Sequence, residues 1–186
     1  MVDPRHDWGP LVGDLAARKT RALEMGGEKL VERQRSLGKL TVRERLELLV
    51  DADTWVEYGL LADHMDDGLG DRYLAADGAI TGVGEIDGRL VAIAAYDFTV
   101  MAGSMGAVGE DKIARMRAHA VRQRMPFVWL LDSAGARIQS TSGSSFAGAG
   151  ALFREQVAMS GVVPVVAAML GHCAAGTAYI PALADF

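Results

Sequence analysis

A single cysteine, Cys173, stands in 186 residues. No intrachain disulfide can staple the fold, and no pair of cysteines can seat a zinc ion, which fits a reducing compartment. No apolar run approaches the ~20 residues of a membrane-crossing helix; the greasiest stretch, "VVPVVAAML" at 162–170, is nine residues long and holds a proline. The first ten residues, "MVDPRHDWGP", lack a basic region followed by an apolar one. Positive charge is not in excess either: 19 Lys and Arg against 24 Asp and Glu leave a net charge of -5 and a pI near 5.3. Such a field offers nothing to nucleic acid or anionic lipid. A cytoplasmic protein with no nucleic-acid partner and no membrane partner is expected.

What is present is an ordinary globular balance, 50% hydrophobic and 23% charged. Residues 1–60 read as a charged helical segment. Apolar residues recur at helical spacing from 12 to 40 until Gly26-Gly27 breaks the pattern. In "LTVRERLELLV", Thr41 followed by Glu44 forms a capping box, with Leu46, Leu49 and Val50 on one apolar face. The period then changes to two. "DGAITGVGEIDGRLVAIAAYDFTV" contains two strand-like runs joined by Asp87-Gly88, a dipeptide that accepts the positive φ angles of a tight hairpin. Next come a glycine-rich loop, "MAGSMGAVGEDK", a helix at 108–124 and a buried strand at 127–132. A small-residue loop, a helix at 146–160, the strand "VVPVVAAML" and the turn "GHCAAGTAY" repeat that order. Strands feeding helices give a layered α/β fold.

The strand ends in "DSAGAR", Asp132 to Arg137, and a strand that stops at small residues exposes backbone for chemistry. Ser133 is not in a nucleophile elbow, because Leu131 stands where G-x-S-x-G needs glycine; loop capping is the expected role. Asp132 reads as a turn residue binding backbone N–H groups. The loop "GSMGAVGEDKI" fits neither dinucleotide nor Walker spacing. His172 and Cys173 are adjacent and would point to opposite faces of an extended segment, which argues against a dyad. The basic run Arg33, Arg35, Lys39, Arg43 and Arg45 is read as a solvated helix face, with contact to phosphates as the less common alternative.

Five segments, "GKLTVRERLELLVD", "DGAITGVGEIDGR", "GSMGAVGEDKI", "DSAGARIQ" and "GVVPVVAAMLGHCAAGTAYIPALADF", resemble in order and spacing the carboxyltransferase (β) subunits of biotin-dependent acyl-CoA carboxylases. The propionyl-CoA and methylcrotonoyl-CoA carboxylases are the type resembled, and Arg137 after Gly135-Ala136 is closer to the propionyl-CoA branch. The resemblance implies a crotonase-like fold, with 61–186 forming part of the N-terminal domain of a two-domain subunit. Ala102, Ala134 and Ala175 stand where the family usually has glycine, and His172 where proline is common.

The resemblance also implies the reaction, transfer of a carboxyl group from carboxybiotin to the α-carbon of an acyl-CoA, most simply propionyl-CoA or acetyl-CoA. The enolate oxygen must then be held by fixed N–H donors, each contributing about 3–4 kcal/mol by comparison with acyl transfer. Gly135 and Ala136 are the implied donors. Gly103, Ser104, Gly106, Ala134, Arg137, Ala175 and Gly176 are the implied residues around the CoA thioester. Implied partners are a biotin carboxylase and biotin-carrier α subunit and further β subunits, a hexamer in the full-length family. Biotin is the implied cofactor, with its pocket in the other half, and no metal is implied. A crotonase-type hydratase or isomerase would need carboxylates that 133–145 lacks. A biotin-dependent decarboxylase subunit and a non-catalytic assembly module remain as alternatives.

Overall fold

The computed structural model describes residues 7–65, 67–139, 147–148 and 150–186. Three helices come first: α1 (Gly9–Leu23), α2 (Glu28–Ser36) and α3 (Val42–Leu49). The break between α1 and α2 also docks onto the body of the protein. Gly26 N–H donates to Thr99 Oγ1 at 3.0 Å, and a Cβ at Gly26 would lie 2.0 Å from the Thr99 carbonyl oxygen. α3 opens with the expected capping box: Glu44 N–H donates to Thr41 Oγ1 at 3.3 Å, and Thr41 N–H donates to Glu44 Oε2 at 2.7 Å.

The helical segment ends before residue 60, because α3 stops at Leu49 and Val56–Tyr58 form β1, paired with β2. β2 (Ala79–Ile86) and β3 (Arg89–Tyr96) make the hairpin. Asp87 and Gly88 both adopt positive φ, 50° and 71°, as a two-residue turn that follows strand twist requires. The Asp51 carboxylate accepts from both turn N–H groups, at 3.2 and 2.8 Å.

β4 (Phe127–Ser133) and β5 (Val165–Cys173) run parallel to β3, connected through α4 (Ala107–Gln123) and α5 (Ala151–Met159). The helix expected at 146–160 is described from Ala151 to Met159; 140–146 and 149 lie outside the described residues. The sheet order is β1-β2-β3-β4-β5. Period-two alternation divides the core between its faces. Ala92, Ala94, Tyr96, Phe127, Trp129 and Leu131 pack with Ile113, Met116 and Ala120 of α4 and with Leu152 and Met159 of α5. Val91, Ile93, Ala95 and Leu130 pack with Val42 and Leu46 of α3. The result is three layers, helices on both sides of one sheet, with each buried large side chain stabilising by about 1.5–3 kcal/mol. β5 is the outer strand of the described sheet, and Met169 and Leu170 are exposed on it. Its first residues pair with the tail: Asp185 N–H donates to Val165 O at 2.9 Å and Ala167 N–H to Phe186 O at 2.8 Å. The short helix α6 (Tyr179–Ala182) precedes that tail.

Candidate active site

At the C-terminal ends of β4 and β5 three small-residue segments meet: 101–106, 133–137 and 174–176. Ala134 N–H donates to Ala102 O at 2.9 Å, and Ala174 N–H donates to Ser133 O at 3.2 Å. Met105 bridges to Ala136 in parallel register. Two glycines are required by close approach. A Cβ on Gly103 (φ 64°) would lie 2.3 Å from Asp132 O, and one on Gly135 (φ 98°) would lie 2.7 Å from Ala174 O. The turn at 174–176 stands beside Met105, 3.4 Å from the place a Gly176 Cβ would occupy. Every residue implied by the resemblance therefore lies on one of these segments.

The bonds of the bridge decide which backbone donors are free. Met105 N–H donates to Gly135 O at 2.8 Å, and Arg137 N–H donates to Met105 O at 3.0 Å. These flank Ala136 without using its own N–H, which in a parallel bridge points away from the partner strand. Among the described residues the Ala136 N–H has no partner, and the residue is half-buried. Gly135 N–H is engaged: it donates to Ser133 Oγ at 3.1 Å, while that hydroxyl donates to Gly103 O at 2.6 Å. Ser133 is fully buried. It is the tie that holds 103 and 135 together, and its hydroxyl proton is already committed.

Arg137 does not reach into open space. It is 1% exposed, its Nη1 pairs with Asp77 Oδ1, its Nε donates to Ser104 Oγ at 3.2 Å and its Nη2 to Ser104 O at 3.2 Å. Asp77 Oδ2 in turn accepts from Gly109 N–H at 2.7 Å, in the first turn of α4. Gly106 leaves room for the pair, since its Cβ would stand 2.3 Å from Arg137 Nη1 and 2.5 Å from Asp77 Oδ2. Ser104, Gly106 and Arg137 are thus brought to the site as its frame.

Asp132 is more than a turn cap. It is fully buried and accepts from Lys39 Nζ at 3.2 Å, Arg45 Nη2 at 3.0 Å, Gln34 Nε2 at 3.3 Å and His172 N–H at 3.1 Å. The basic run is only partly the solvated face expected: Arg33 and Arg35 are exposed, while Lys39, Arg43 and Arg45 are half-buried. Lys39 and Arg45 serve Asp132, Arg43 pairs with Glu57 at 2.7 Å and Arg35 with Glu44 at 2.6 Å. The parity of β4 carried the signal: Asp132 shares a face with Val128 and Leu130, the face that α3 covers.

Backbone strain concentrates here. Of the nine non-glycine residues with positive φ among the described ones, Ala76, Asp77, Met101, Ala102 and Ala175 line these segments. Strained residues persist where the surroundings over-determine them, commonly at functional sites. His172 is exposed and stacks on Phe98 with centroids 5.4 Å apart. Cys173 Sγ contacts Thr177 O at 2.9 Å, and burial pushes its thiol pKa up, so the neighbours form no dyad. No group of three or more His, Cys, Asp and Glu able to hold a metal occurs among the described residues, and no described helix is long and apolar enough to cross a membrane.

A fold with parallel strands ending at a small-residue turn, framed by buried ion pairs, matches known proteins closely. Residues 33–186 match the carboxyl transferase domain family. The chain belongs to that family. It is 41% identical over 177 residues to the propionyl-CoA carboxylase carboxyltransferase subunit of Haloferax mediterranei, covering 94% of this chain and 34% of that protein. It is 43% identical over 163 residues to the methylmalonyl-CoA decarboxylase subunit alpha of Veillonella parvula, covering 87% of this chain and 32% of that protein. Among solved structures, the transcarboxylase 12S hexamer with methylmalonyl-CoA bound superposes with a TM-score of 0.89 at 42% identity, covering 94% of this chain and 34% of the other. The chain spans about a third of the length of these relatives. The fold is the crotonase-like one of the carboxyltransferases.

Proposed function

We propose that residues 1–186 supply the acyl-CoA side of a biotin-dependent carboxyltransferase site, and that Ala136 N–H holds the thioester oxygen when the α-carbon becomes an enolate. The unpartnered Ala136 N–H, left free by a bridge that uses only its neighbours' groups, is the observation that carries this reading. When the α-carbon loses its proton, the electron pair spreads onto the thioester oxygen, and a fixed donor there stabilises the transition state more than the ground state. On this reading the N–carboxyl bond of carboxybiotin would break, the ureido nitrogen so released would take the α-proton, and the enolate carbon would form the new bond to the carboxyl carbon. Gly135 N–H is the second donor, available to a ligand oxygen that displaces Ser133 Oγ from it.

The remaining residues have distinct parts. Gly103, Ser104, Gly106 and Arg137 hold the turn through the contacts above, whereas Ala134, Ala175 and Gly176 form the rim a CoA thioester approaches. Carboxybiotin, brought by a carrier subunit, supplies the carboxyl group, and no residue of this chain is assigned to its pocket. Propionyl-CoA or acetyl-CoA is the proposed acceptor, in a complex of an α subunit with a hexamer of β subunits. Decarboxylation passes through the same enolate, so one turn serves either direction.

The test uses a complete subunit that carries this segment, assembled with its biotinylated partner. ATP-dependent incorporation of labelled bicarbonate into propionyl-CoA or acetyl-CoA is the expected result, while residues 1–186 alone transfer no carboxyl group. An assembled enzyme that neither carboxylates nor decarboxylates any acyl-CoA would overturn the reading.

A further inference from the structure

Lys112 is a largely buried ammonium with no ion-pair partner among the described residues. Its Nζ donates to the carbonyls of Ala76 at 3.0 Å and Ala79 at 2.6 Å, and no carboxylate among the described residues lies within ion-pair distance. Glu57, whose charge acts on Lys112 more strongly than that of Asp77, has both oxygens committed to Arg43, at 2.7 and 3.2 Å. Burial pulls the Lys112 pKa down to about 8. Buried charges in folded proteins are normally paired, and an ammonium facing only carbonyl dipoles lacks the partner that best stabilises it.

The same lysine lines a cavity of about 340 Å³ between α4 and the β1–β2 edge. Its other walls are Arg115, Met116, His119 and Arg122 of α4, with Tyr58, Gly59 and Thr81 opposite. The α4 residues recur at 112, 115, 116, 119 and 122, one stripe at helical spacing. Arg115 and Arg122 are exposed and make no ion pair among the described residues. Tyr58 and His119 stand ring to ring, centroids 6.2 Å apart. Gly59 is required beneath them: its φ is 73°, and a Cβ would lie 2.7 Å from Lys112 Cε. Three cations and a histidine around one concavity, in a chain of net charge -5, form a local site for an anion. The arginine end of the cavity lies away from the candidate active site, Arg122 being ~24 Å along the α4 axis from Gly106, whereas Lys112 reaches back to the Ala76 carbonyl beside that site.

We propose that this cavity binds a small phosphate-bearing anion, its phosphates on Arg115, Arg122 and Lys112 and its body against Tyr58, Met116 and His119. Guanidinium forks favour phosphate, and the volume falls within the range of small-molecule sites, about 300–1,000 Å³. A free diphosphate and a nucleotide share this chemistry. Neither depends on the carboxyltransferase reading.

Isothermal titration of the 186-residue chain with inorganic pyrophosphate, and separately with ADP, tests the proposal. Saturable binding that weakens with added salt is expected for both. Arg115→Glu/Arg122→Glu, at two exposed positions, should leave the circular dichroism spectrum unchanged and raise the apparent Kd about tenfold or more. The double Arg→Lys variant should stay within about threefold, because it keeps the charge. ADP binding tighter than pyrophosphate assigns the nucleotide as source, and equal affinity assigns the diphosphate. Absence of saturable binding, or binding unchanged in the double Glu variant, overturns the site.

Discussion

Asp77 and Asp132 are both fully buried carboxylates flanking one turn, and they are partnered in opposite ways. Asp77 faces one guanidinium, Arg137, which is itself 1% exposed, and closes a pair inside the loop layer. Asp132 collects two cations, an amide and a backbone N–H from α2, α3, their linker and β5. Its lysine keeps 26% of its side chain in solvent. The first arrangement fixes the local shape of the turn; the second fixes where the sheet end sits under the N-terminal helices. A sealed pair has no water to fall back on when one partner is lost, whereas a shared, partly wet cluster can redistribute.

The largest effect should come from breaking the sealed pair. Asp77→Ala takes from the buried Arg137 guanidinium its Asp77 carboxylate and from Gly109 N–H its Asp77 acceptor, and should cost about 3–5 kcal/mol in chemical denaturation. Asp77→Ala/Arg137→Met should recover a substantial part of that loss. A single variant as stable as the double would contradict a sealed pair.

The cluster is tested more gently by Gly171. A Cβ there would lie 2.0 Å from Asp132 Oδ1 and 2.5 Å from Lys39 Nζ. Gly171→Ala should cost about 1–3 kcal/mol in the wild-type background, and much less when Asp132 is already alanine. A double-mutant cycle measures the coupling; strictly additive effects would show that Gly171 does not press on the cluster.

Smaller still is the strain on the rim. Ala102 and Ala175 have φ of 54° and 48°, a region that costs an L-residue about 1 kcal/mol relative to glycine. Ala102→Gly and Ala175→Gly should each raise the melting temperature by about 2–4 °C. No rise at either position would remove the strain argument.

The smallest change concerns α3, the helix that carries Arg45 to Asp132. The Thr41 N–H first, then Arg35, holds the Glu44 carboxyl below its usual range. A depressed folded pKa contributes stability above the unfolded value, about 4.3, and loses it as pH falls through the folded one. Wild type should therefore exceed Glu44→Gln by under about 1 kcal/mol at neutral pH. The gap should close toward pH 3 in a denaturation series; a gap that widens in acid would contradict the capping role.

Local pattern made the hairpin, the α3 capping box, α4 and β4 legible, because each is specified within a few residues by period and turn chemistry. Ala102 and Ala175 were noticeable as departures from glycine, and their positive φ explains why glycine suits those places. Partner choice was not legible in the same way. Arg137 finds Asp77 sixty residues earlier, and Lys39 finds Asp132 ninety-three residues later. Spacing along the chain holds no record of such pairings until the layers are assembled. The Ser133 tie on Gly135 N–H was hidden for a related reason: it depends on Gly103 arriving from another segment.

The central claim is that backbone donors at 135–136, and not the Ser133 hydroxyl, perform the chemistry. The most direct measurement is turnover per folded enzyme for Ser133→Ala, Ala136→Gly and Ala136→Pro in a complete carboxyltransferase subunit carrying this segment. Ser133→Ala frees Gly135 N–H but strips a tie from Gly103 O, so it should lower stability by about 1–3 kcal/mol and keep most of the turnover. Ala136→Gly keeps the N–H and should stay active. Ala136→Pro deletes that N–H without removing a bond of the Met105 bridge, and turnover should fall about 10²–10³-fold. Collapse of turnover in folded Ser133→Ala together with retained activity in Ala136→Pro would contradict the account.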